Sequence, residues 1–131
     1  MKRIAVSLLL VLVLVASIAA VAQEKESAKV KALKTAGNEV VTMLVNENFA
    51  GVSEKFTSEM KKAAPTDKLE AQWQSLTSQA GPFEKVLSTE VKEGKKNSLV
   101  VLKCKFEKVA LYLHVAFNTE NRISNLDILD K

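Results

Sequence analysis

Few side chains in this sequence can do acid–base or nucleophilic work. His114 is the one histidine and Cys104 the one cysteine. A histidine titrates near neutrality and is the favoured general acid or base, and a thiol is a nucleophile only once it is deprotonated. Whether the two can cooperate depends on the strands that carry them. From Leu99 to Glu107 and from Val109 to Phe117, apolar and polar residues alternate with the period of two that marks half-buried strands. Val100, Leu102, Cys104 and Phe106 then share one face with Val109, Leu111, Leu113, Val115 and Phe117. His114, Tyr112, Ala110, Ala116 and Val101 look the other way. Imidazole and thiol therefore fall on opposite sides of the sheet and cannot converge on a metal ion or form a nucleophile–base pair.

The other candidates are equally plain. A return strand places Asp127 or Asn125 across from His114, depending on loop length. On an outer face this reads as a solvated cross-strand pair rather than a catalytic dyad. Cys104, between Leu102 and Phe106, reads as a buried inert thiol. The stretch "WQSLTSQAGPF", residues 73–83, mixes an indole with hydroxyls and amides, but Leu69, Trp73 and Leu76 repeat at helical spacing. Gln74, Ser75 and Ser78 lie between those positions, Gly81 is the natural residue after a helix end, and Pro82 prevents continuation. Glu70 and Glu84 read as surface acids. The sequence has no glycine-rich phosphate loop, serine nucleophile elbow or paired-cysteine motif.

The N-terminus indicates where the protein goes. Lys2 and Arg3 precede an apolar run from Ile4 to Ala22, and Ala20-Val21-Ala22 before Gln23 is a small-x-small cleavage site. This is the pattern of a secretory signal peptide over residues 1–22; a retained membrane anchor is the rival, because the run is long enough to cross a hydrocarbon core. The expectation is an exported protein, periplasmic or extracellular, with no membrane contact after cleavage and one domain over residues 23–131. The whole chain carries 19 Lys+Arg against 15 Asp+Glu, a net charge of +4, and loss of Lys2 and Arg3 halves it. The remaining cations are interspersed with acids, and Lys61-Lys62 and Lys95-Lys96 are only pairs, so no nucleic-acid surface is expected. A lone cysteine cannot make an internal disulfide, and stability must come from packing.

These side chains need positioning elements, and the pattern supplies them in order. Ser27 can cap a long helix with Val30, Leu33, Val40, Val41 and Leu44 on one face; Gly37 within it either admits a close neighbour or is tolerated. Asn48 can cap a short helix carrying Phe49, Val52 and Phe56. Thr57 and Ser58 start another turn carrying Met60, Pro65 stops it, and Thr66 or Asp67 can cap the Trp73 helix. Beyond Pro82 the period becomes two, with Leu87, Thr89 and Val91 on the inner face of a first strand. If Glu107-Lys108 is a two-residue turn, Cys104 faces Leu111 and Leu102 faces Leu113, which puts both apolar rows on one side. Glu-Lys is poor chemistry for a primed turn, so a wider turn of the same parity is the alternative. A loop at Asn118–Asn121 leads to a last strand from Ile123 to Leu129, with Leu126 and Ile128 inward. Helices first and a four-stranded antiparallel meander after them make an α+β fold.

The order "NENFAGVSEKFTSEMKKAAPTDKLEAQWQSLTSQAGPFEKV", followed by hairpins ending in "NRISNLDI", resembles the bacterial domain-of-unknown-function family 3887. The positions carrying the resemblance are Phe49, Val52, Phe56, Met60, Leu69, Trp73, Leu76, Gly81, Phe83, Ile123 and Leu126. Asn125 stands where the family pattern would have a glycine. That family is grouped with nuclear-transport-factor-2-like folds and often precedes α/β-hydrolase domains in exported proteins; this copy is expected to act alone or with a separate partner. The resemblance implies N-terminal helices packed on a curved, cone-shaped sheet with an apolar pocket at its open end. Such folds serve isomerases, dehydratases, binding modules and dimerising scaffolds alike. Cone-fold isomerases need carboxylates in the cavity, whereas the inward rows here are Val, Leu, Cys and Phe, with Thr89 the main polar exception.

The expectation is a non-enzymatic domain without cofactor or metal. It binds a small apolar or amphipathic ligand among Trp73, Phe83, Leu102, Leu113 and Phe117, in a cavity on the order of 300 Å³ or more. The alternative is an interaction module whose outer sheet face, with Val101, Tyr112 and His114, makes a homodimer or docks an envelope protein.

Overall fold

A computed structural model describes residues 26–130, so the proposed leader at residues 1–22 lies outside the described residues. Among the described residues four helices precede four strands: α1 (Ala28–Val45), α2 (Phe49–Glu54), α3 (Ser58–Ala63), α4 (Thr66–Ala80), β1 (Phe83–Lys92), β2 (Asn97–Phe106), β3 (Ala110–Asn118) and β4 (Ile123–Leu129). The strands form one antiparallel sheet in the order β1-β2-β3-β4, the α+β meander expected from the period change after Pro82.

Local chemistry explains the helix ends. The Ser27 hydroxyl accepts from the Val30 N–H at 3.1 Å, Asn48 Oδ1 from the Gly51 N–H at 3.1 Å, and the Thr57 hydroxyl from the Met60 N–H at 3.2 Å. Each satisfies one of the donors that a helix start leaves orphaned. The expected side-chain cap on α4 is absent: Pro65 occupies that position and Thr66 is already helical. Proline's fixed φ suits the entry, and Asp67 in the first turn complements the helix dipole. Gly81 ends α4 at φ 84°, and its N–H donates to the Thr77 carbonyl at 2.9 Å.

One face of α1 lies on the sheet, burying Leu33, Gly37, Val40, Val41 and Leu44. Gly37 is a point of close approach: a Cβ there would stand 2.7 Å from Val100 Cγ1. Phe49, Val52 and Phe56 close the core beside it, and Phe56 makes a parallel bridge to Ile123 that ties the helical layer to β4.

The inner rows of β2 and β3 follow the expected parity, with Cys104 opposite Leu111 and Leu102 opposite Leu113. The Phe106 N–H donates to the Val109 carbonyl at 2.8 Å across the two-residue turn. Neither turn residue has a positive φ. The corner is held from outside, by the Glu107 N–H on the Pro82 carbonyl at 3.0 Å and the Lys108 N–H on the Ala80 carbonyl at 2.9 Å. That tertiary strap explains how Glu-Lys occupies a turn it suits poorly.

Two expected inner positions are corrected. Leu87 is 45% exposed because an irregularity between Val86 and Ser88 inserts a residue in β1; Val86 takes the inner place, while Thr89 and Val91 keep theirs. Val109 is 44% exposed because it belongs to the corner before β3 rather than to the strand.

Candidate functional site

Three aromatic rings close one end of the core. The Trp73 ring lies 5.9 Å from that of Phe106, tilted by 57°, and Phe83 meets Phe106 edge-on at 5.7 Å. Beneath them, between Leu44, Cys104, Leu113 and Ile128, is a void of about 10 Å³, close to the smallest space that accommodates a water. Leu102 and Phe117 are 0% and 1% exposed and do not border that void; Phe117 lines a separate cavity near the β3–β4 loop. The void beneath the rings is too small for a ligand, and the five expected residues do not surround one space: Leu102 is packed in the core, Phe117 lines that separate cavity, and Phe83 is part of the aromatic closure.

Usable space lies just outside that closure, where α4 and β4 part. An open groove of about 260 Å³ runs between Leu69, Trp73 and Leu76 on the helix and Leu126 and Ile128 on the strand, with Leu113 at its base. Gln72 and Asp127 supply polar atoms at its rim. Of the expected ligand residues, Trp73 and Leu113 reach it. Leu69, Leu76, Leu126 and Ile128 read in the sequence only as core. The sequence signal for them was available, since Leu126 and Ile128 alternate along β4 on the side that faces the helices. A groove with an apolar floor and a polar rim suits a molecule with an apolar body and a polar end.

The outer sheet face places Val101 opposite His114, and His114 opposite Asp127, with Glu90 completing the row on β1. The register thus selects Asp127 over Asn125 as the residue across from the imidazole. Tyr112 stands opposite Lys103, whose Nζ is 5.8 Å from the ring centroid. Leu99, Val101, Tyr112, His114 and Ala116 form a half-buried central strip, flanked by Glu90 and Lys92 on β1 and by Asn125 and Asp127 on β4.

Cys104 is 4% exposed, and its thiol donates to the Leu102 carbonyl at 3.6 Å. Burial away from any cation pushes its pKa up to about 11, the opposite of what a thiolate nucleophile requires. The carboxylates do not gather in the groove. Glu84 pairs with Lys105 Nζ at 2.6 Å on the surface, and Glu70 accepts from Gln74 Nε2 at 3.3 Å along α4. Thr89, the inward polar residue of β1, accepts from Asn38 Nδ2 at 3.3 Å. Among the described residues no three His, Cys, Asp or Glu side chains stand close enough to hold a metal ion.

A family model described as a protein of unknown function, DUF3887, matches residues 37–126, from the middle of α1 into β4. No curated protein and no solved structure matches the chain.

Proposed function

The chain belongs to the DUF3887 family, and from the groove it carries we propose that it is an exported, non-enzymatic binding domain that holds a small amphipathic molecule between α4 and β4. The observation behind this reading is the open groove of about 260 Å³ lined by Leu69, Trp73, Leu76, Leu113, Leu126 and Ile128. Its volume is near the lower end for small-molecule sites, so the ligand is a narrow chain or a single ring with its polar end toward Gln72 and Asp127. The non-enzymatic part is supported by the separation of His114 from Cys104 across the sheet and by surface partners for Glu70 and Glu84. We read the fold as a nuclear-transport-factor-2-like cone, with the groove at its mouth.

Native mass spectrometry of protein recovered from its own cell envelope tests the proposal. It predicts a retained small molecule that Leu126→Arg removes, since Leu126 is only partly buried and a charge there fills the groove without emptying the core. Protein that carries nothing, or that keeps its ligand in the variant, contradicts it.

A second reading, self-association through the outer sheet face, rests on the apolar strip of Leu99, Val101 and Ala116 within a charged border, the pattern of an interface core and rim. Leu87 and Leu129, 45% and 48% exposed, extend the apolar area. Analytical ultracentrifugation distinguishes the readings: a dimer that Tyr112→Glu dissociates supports it, and a strict monomer removes it.

A further inference from the structure

We infer that the end of the domain opposite the groove carries a second, polar site for a small oxyanion, a phosphate or carboxylate group. There the β1–β2 loop, the β3–β4 loop and the start of α1 enclose a cavity of about 100 Å³. That is room for roughly three waters, or for one tetrahedral or planar anion. Lys29 of α1 and Lys95 and Lys96 of the β1–β2 loop line it together with Ser98 and Asn121, and among the described residues no carboxylate does.

Two further observations point to an anion. The first turn of α1 contains Lys29 but no acid, and Glu26, one residue before the cap, is paired with Lys34 Nζ at 3.3 Å. The second concerns Ser98. It begins the inner row of β2, opposite Phe117, and every later member of that row, Val100, Leu102, Cys104 and Phe106, is apolar. Ser98 is 6% exposed, yet its hydroxyl makes no hydrogen bond with the described residues. It is not sealed in, because among those residues no fully enclosed side-chain polar atom lacks a partner. The hydroxyl therefore opens into the cavity, as a donor without a partner among the described residues. A water would satisfy the hydroxyl alone; an oxyanion accepts from it and also complements the charge of the three lysines that line the cavity. The far wall is fixed, since Asn118 Oδ1 accepts from the Glu120 and Arg122 N–H groups, each at 2.9 Å.

The site is testable with free anions. The ¹⁵N-labelled protein is titrated with sodium phosphate, with sodium acetate and, at matched ionic strength, with sodium chloride. Saturable amide shifts are expected around Lys29, Gly94–Ser98 and Asn118–Asn121, leaving the Leu76 and Leu126 amides unmoved. The stronger of phosphate and acetate identifies the class. Ser98→Ala removes one charge-assisted hydrogen bond and should weaken binding about tenfold. The surface pair Lys95→Gln/Lys96→Gln, which leaves the core untouched, should weaken it at least as much. Shifts that chloride reproduces, or an affinity that neither variant lowers, overturn the inference.

Discussion

Replacing Gly37 by alanine sets two effects of known sign against each other. Helix propensity favours the change by about 1 kcal/mol in the interior of α1. Packing opposes it: the new Cβ would stand 2.7 Å from Val100 Cγ1 and 3.3 Å from Leu102 Cδ1, and both side chains are 0% exposed. Val100 is β-branched and stiff at χ1, in a strand paired on both sides, so it cannot swing aside as a long side chain could. Overpacking of this kind costs about 1–3 kcal/mol, so Gly37→Ala should destabilise by about 1 kcal/mol net, and by no more than about 2. The origin of the cost is tested by repeating the change in a Val100→Ala background, where the clashing methyl is gone. There the propensity term wins and Gly37→Ala becomes neutral or stabilising relative to Val100→Ala alone. Urea unfolding of the four proteins gives the coupling directly. If Gly37→Ala stabilises in both backgrounds, α1 does not lie against β2 as described.

Other consequences follow from single positions. Gly81→Ala meets both a positive φ and Glu107 Cβ at 2.6 Å, and should cost about 1–3 kcal/mol in the same denaturation assay. Leu102→Ala opens a cavity in the sealed interior and should cost about 2–5 kcal/mol, whereas Leu87→Ala, on a 45% exposed side chain, should cost under about 1 kcal/mol by thermal melting. The Cys104 thiol, with its folded pKa raised from 9.0 to about 11, lends stability that is full below pH 9 and is lost as pH rises toward 11. Wild type should therefore lose up to about 1.4 kcal/mol per pH unit relative to Cys104→Ala in that window, and native protein at pH 8 should resist iodoacetamide until unfolded.

Much of the fold was legible because its signals are local. Ser27, Asn48, Thr57 and Gly81 act within one turn of chain, and the alternation of β2 and β3 needs only the period of two. What escaped was decided by contacts between distant segments. The inserted residue in β1 moves Leu87 outward and Val86 inward, and nothing in "KVLST" marks it. The Glu107-Lys108 corner depends on the Ala80 and Pro82 carbonyls, which a turn rule does not see. Parity placed His114, Tyr112 and Val101 together and away from Cys104. It could not show that Leu102 packs in a sealed core while Phe117 borders a cavity, because cavity volume depends on the fit of side chains from α1, α2 and the sheet. The groove could have been anticipated from Leu126 and Ile128 alternating on β4, an edge strand of the described sheet, and the isolated polar character of Ser98 from its place in an otherwise apolar row.

The groove between α4 and β4 is tested most directly by photo-crosslinking with a medium-chain alkyl diazirine carrying a polar head, followed by peptide mapping. The account predicts saturable labelling on the Leu69–Leu76 segment and on Leu126–Ile128, abolished by Leu126→Arg. Labelling spread over the surface, or concentrated on the Val101–Tyr112 face and indifferent to that substitution, would contradict it.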